Sequence, residues 1–103
     1  MKNQNFEQLE LPFMKEMNAL NQTQNAIQSM LNLTWNNVLM NLTKPGTKEL
    51  MRQHGKLIAI HNGEVWIKMS SPQLLRLVQH KISEVELAFQ KSFGVSIKIH
   101  LEA

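Results

Sequence analysis

Cysteine and tyrosine are absent from these 103 residues, and glycine and proline number only 4 and 3. Without cysteine there are no disulfides and no thiolate metal ligands, so the fold must rest on packing of aliphatic, Met, Phe and Trp side chains. Such a composition suits a reducing compartment, and a cytoplasmic location is expected. No apolar stretch follows Met1-Lys2-Asn3-Gln4-Asn5 that could act as a signal peptide. Nor does any run approach the roughly 18 apolar residues of a membrane span, so neither secretion nor a membrane partner is expected. The N-x-S/T sequons at Asn21, Asn32 and Asn41 lack a secretory signal, and in so Asn-rich a chain they are chance matches.

The length fits one domain at most, with a single core. Charge is uneven: the acidic and basic residues of the first part nearly balance, and most of the net +3 lies after Lys44. A positive balance of this size is what solubility asks for and does not by itself indicate nucleic-acid binding.

Two regions differ in texture. Residues 1–28 are crowded with Asn, Gln and isolated apolar side chains, and they read as a flexible polar linker. A helical seam through Phe13, Met17, Leu20, Ile27 and Leu31 offers the alternative of a partner-binding helix, interrupted by Gln24. Residues 29–103 read as an α+β interaction domain. Trp35, Val38, Leu39 and Leu42 share one helical face before Lys44-Pro45-Gly46 breaks the helix. Thr47 is the expected N-cap of a short second helix, which Gly55 would end in the left-handed conformation. Two β-rich runs, Lys56–His61 and Glu64–Met69, flank Asn62-Gly63, a hairpin signal because both turn positions need positive φ. Ser71-Pro72 caps one long helix whose row Leu75, Val78, Ile82, Val85, Phe89 and Phe93 runs to Gly94. A final strand alternates Val95, Ile97, Ile99 and Leu101 with polar residues. The predicted fold is α+β, in the order α-α-β-β-α-β, with a three-stranded sheet covered by helices on one face. The last strand should run parallel to the Val65 strand, its neighbour left undecided.

Little chemistry can be placed on this frame. The four histidines, His54, His61, His80 and His100, fall on separate elements without zinc-ligand spacing, so no metal is expected. Glu84 and Glu86 point in different directions on a helix, and Glu49 and Glu64 sit on different elements, so no acid-base pair is proposed. The serines lack a nucleophile-elbow setting. Pro45-Gly46-Thr47-Lys48 has one glycine and follows a helix, unlike a phosphate loop. The expectation is a chain that is not an enzyme, with no cofactor and no small-molecule substrate. The arrangement is KH-like, but no two glycines stand three apart to form the GXXG clamp of KH domains.

The run Trp35-x-x-Val38-Leu39, then Pro45-Gly46-Thr47-Lys48-Glu49-Leu50 and Gln53-His54-Gly55, resembles the C-terminal domain of the bacterial DNA polymerase III gamma/tau subunit, cyanobacterial forms above all. The resemblance continues through Ser70-Ser71, Glu86-Leu87-Ala88-Phe89 and Ile97-Lys98-Ile99. It implies a degenerate KH-like fold and a non-catalytic role coupling the clamp loader to the replicative polymerase, the replicative helicase or both. A DciA-like helicase-loading module is the alternative, and a KH-like nucleic-acid-binding module a second. If Val65, Ile67 and Met69 face the core, the pleat turns Trp66, Lys68, Lys98 and His100 to the uncovered face, and these four are the expected partner-binding residues.

Overall fold

The computed structural model describes residues 12–103, with side chains from Thr23 onward. The chain divides into two units, Met1–Met30 and Leu31–Ala103, and the sheet and the buried core belong to the second. Helix α1 spans Pro12–Met40. No glycine or proline interrupts residues 13–44, and Leu, Met, Ala and Gln supply helix propensity, which is why the expected linker is helical from Pro12. Residues 1–11 of that linker lie outside the described residues, as do the side chains of Phe13, Met17 and Leu20 in the expected seam. From Leu31 the helix buries Leu31, Trp35, Val38 and Leu39, spaced three and four apart, with Leu42 buried just beyond its end.

Helix α2, Pro45–His54, starts earlier than expected: Pro45 opens it after Lys44, and no side chain caps it. Thr47 is therefore not the N-cap. It is buried inside the first turn, and its hydroxyl donates to Glu84 Oε1 at 2.6 Å. Gly55 is also placed differently, with φ −111° and ψ 149°, so it opens the following strand. Glycine is needed there for close approach: a Cβ would lie 2.9 Å from the Met51 carbonyl oxygen and 3.3 Å from Trp35 Cζ2.

Strands β1, Gly55–His61, and β2, Glu64–Met69, form the expected hairpin, with Asn62 at φ 50° and Gly63 at φ 76°. Ser71 caps helix α3, Pro72–Gln79, by accepting from the Leu74 N–H at 3.3 Å. The single long helix expected here is two helices, because the chain turns at His80-Lys81 before α4, Ile82–Phe93. The local charge fits an end followed by a start: Arg76 lies in the last turn of α3 and Glu84 in the first turn of α4, each on the favourable side of its helix dipole. The Thr47–Glu84 bond ties that new start to α2. Gly94, at φ 76°, ends α4 as expected.

Strand β3 is shorter than the alternation suggested, covering Lys98–Glu102. Its pairing begins with Lys98 opposite Glu64, the first residue of β2, and the turn before Glu64 leaves residues 95–97 without a strand to join. Val95 accordingly lies outside the strand and is 59% exposed. The sheet order is β1-β2-β3, antiparallel then parallel, so β3 adds to the Val65 strand. One face of the sheet carries Leu57, Val65, Ile67 and Met69, in one buried cluster with Val38, Met51, Val78, Val85 and Phe89. Architecture and class are thus α+β, with α1 from Leu31 onward and α2 to α4 sharing one core with one face of a three-stranded sheet.

Candidate functional site

The other face of the sheet is built by register. The two-residue turn sets His61 opposite Glu64, Ile60 opposite Val65 and Ala59 opposite Trp66. Continued unbroken, that count would put Leu57 opposite Lys68 on the solvated face and Lys56 opposite Met69 in the core. A bulge at Ile58 corrects it: Leu57 pairs with Ile67 and is buried, and Lys56 pairs with Lys68. On the far side of β2, His100 stands opposite Trp66, Lys98 opposite Glu64 and Glu102 opposite Lys68. The face therefore brings together all four expected residues, Trp66, Lys68, Lys98 and His100, with Lys68 and Lys98 exposed and the two rings half-buried.

Trp66 sits on the central strand and is not a lone ring. The His100 imidazole stacks on it, with ring centroids 4.8 Å apart and planes 14° from parallel. His100 Nε2 meets Glu64 Oε1 at 2.5 Å, with side chains 34% and 40% exposed, and this bond fixes the imidazole over the indole. The same bond is the main reason that the Glu64 carboxyl titrates below its ordinary value of 4.5, helped by the positive charge of Lys98. Ala59, opposite Trp66 on the other side, presents only a methyl group. The result is a small aromatic platform held in one orientation, with Lys68 and Lys98 beside it.

Two contributors escape sequence reasoning. Glu64 stands at the strand start, and its link to a histidine in a distant strand depends on β3 pairing with β2 and not β1. Lys56 joins the face only because of the bulge, for which the alternation of apolar residues gives no local mark. The turn itself carried the signal for the first three rungs.

The remaining histidines disperse: His54 ends α2, His61 ends β1 beside Asn62, and His80 lies in the α3–α4 turn. Among the described residues no three His, Cys, Asp or Glu side chains gather to hold a metal, and no helix is long and apolar enough to cross a membrane. Elsewhere on the surface, Glu49 receives hydrogen bonds from Arg52 Nε and Nη2 and from Gln53, which pull its carboxyl down to about 2. Both partners of that ion pair are more than half exposed, so solvent screens it and it contributes little to stability.

Comparison with known proteins adds one finding: a family model described as STICHEL, DnaA_N-like alpha-beta domain, matches residues 22–103. No curated protein matches the chain.

Proposed function

The chain belongs to the STICHEL, DnaA_N-like alpha-beta domain family, and from that membership we propose that it is a non-catalytic protein-interaction domain of the DNA replication machinery. The reading is that of a gamma/tau-type subunit of DNA polymerase III, working in the cytoplasm. There it couples the clamp loader to the replicative polymerase, the helicase or both. The family description supports the tie to replication, and the resemblance of residues 31–102 to the gamma/tau C-terminal domain supports the choice of subunit.

The observation that carries the docking role is the Trp66–His100 stack on the open sheet face. Ordering two rings on a solvated sheet face removes their rotamer freedom in advance, so a partner that seats an apolar group there does not have to order them itself. Tryptophan is also the residue type most enriched among binding hot spots. The proposed contact residues are Trp66, Lys68, Lys98 and His100. A role as a DciA-like helicase loader uses the same face and differs in binding the helicase alone.

Titration of isotope-labelled protein with the purified polymerase and with the purified helicase tests this. Shifts should centre on Trp66, Lys68, Lys98 and His100, and Trp66→Ala of unchanged fold should weaken binding at least tenfold, as hot-spot truncations do. Shifts clustered on the helices, with Trp66→Ala binding as the parent does, would remove this face from the function. Salt-dependent binding of single strands in preference to either protein would favour the nucleic-acid reading instead.

A further inference from the structure

The docking face proposed above has a second feature at the end where the hairpin opens. Lys56 and Lys68 are direct cross-strand partners, and both are exposed. Like charges at one rung oppose strand pairing. Among the described residues neither ammonium group is ion-paired, and Glu102, at the same rung on β3, makes no ion pair either. The two lysines form one wall of a shallow groove that continues past Gln53, His54 and Ser70. Ser70 closes that end by donating its hydroxyl to the His54 carbonyl at 3.1 Å. With two ammonium groups against the single carboxylate of Glu102 at that rung, this wall of the groove keeps a net positive charge, which is complementary to an incoming anion.

Its distance from the aromatic platform narrows what that anion belongs to. Trp66 and Lys68 are successive residues on one face of β2, about 6.6 Å apart by the strand rise. An extended peptide laid along the face has the same spacing between side chains i and i+2. A nucleic-acid strand would need cations along its whole track, but carboxylates interrupt this face on either side of Trp66, Glu102 opposite Lys68 and Glu64, bonded to His100, opposite Lys98. The charge is local and the platform is a single stack, which suits a short motif of a protein.

We propose that this face takes an extended acidic segment of the partner protein, seating an apolar side chain against Trp66 and, two residues along, a carboxylate between Lys56 and Lys68. The inference rests on the docking role assigned above and adds the chemistry of the segment that docks.

The probe is a short blocked peptide with Phe and Glu two positions apart, compared with the same peptide carrying Gln or Lys for Glu, and with oligo(dT). Each is titrated into the whole chain while the Trp66 indole and lysine side-chain signals are followed. The acidic peptide should bind, and Lys56→Glu with Lys68→Glu should weaken it by roughly tenfold or more, as loss of close charge partners does. Lys91→Glu, on the exposed side of α4, should leave it unchanged. Equal binding of the Gln peptide, retention by the double variant of confirmed fold, or preference for oligo(dT) would each overturn the proposal. The same variants titrated with polymerase and helicase separate the two claims. If Trp66→Ala abolishes that binding and the lysine reversals do not, the docking role stands and the acidic segment falls. If the parent binds neither protein yet takes the acidic peptide, the role falls and the segment chemistry stands.

Discussion

At the scale of single residues, the fold depends most on positions where volume leaves no slack. Phe89 is 0% exposed and lies between Trp35, with ring centroids 6.1 Å apart, and Phe93, at 5.9 Å. Phe89→Ala should cost on the order of 3–5 kcal/mol, a large part of the stability of so small a domain, read from the midpoint of urea unfolding. Two glycines should respond oppositely to one methyl group. Gly55→Ala drives a Cβ against the Met51 carbonyl and should cost about 1–3 kcal/mol. Gly46, in the first turn of α2, has nothing within 4 Å of where an added methyl would sit. As alanine it should gain about 0.4–1 kcal/mol, because the unfolded chain loses freedom. Thermal melts of the two variants should move in opposite directions. Glu64 ties stability to acid: its folded carboxyl titrates below 4.5, so its contribution is complete above that value and is lost as pH falls through the folded pKa. Glu64→Gln should flatten that acid limb in unfolding measured across pH, leaving other carboxylates to set the remainder.

At the scale of elements, the β1 bulge decides which side chains see water. Deleting Ile58 should leave Leu57 against Ile67 and Lys56 against Lys68 in a regular ladder, so the variant should stay folded with a modest loss of packing. Inserting a glycine beside Ile58 should instead either enlarge the bulge or move Leu57 and Lys56 one pair along β2, away from Ile67 and Lys68, and circular dichroism melts should show a larger drop. This element also marks how far sequence reasoning reaches. The Asn62-Gly63 turn and the Ser71-Pro72 cap were readable because each is local chemistry with one backbone solution. The α3–α4 break was not, because no glycine or proline makes it; the turn at His80-Lys81 is supported from elsewhere, through Thr47 and Glu84. The start of β3 was hidden for the same reason, since the alternation runs on through Val95 while the length of β2 sets where pairing begins. In the candidate site, pleat alternation alone put Trp66, Lys68, Lys98 and His100 on one face, whereas Glu64 and Lys56 entered through register between strands.

At the scale of the whole molecule, the α+β class followed from a change of period, helical elements up to His54 and again after Pro72, with the hairpin between and alternation at the end. The parallel pairing of β3 has a consequence in the order of assembly. β1 and β2 meet through a two-residue turn, but β3 reaches β2 only after α3 and α4 have carried the chain back across the sheet. Closing that long loop costs entropy before any contact repays it, so β3 should join late in folding and detach first in partial opening. Native-state hydrogen exchange should show this as amides of Ile99 and Leu101 opening at lower free energy than those of Val65 and Ile67. Because the indole comes from β2 and the imidazole from β3, each such opening takes the platform apart while the hairpin survives. A bound partner would then act as a latch on the last strand, slowing exchange in β3 more than in β1.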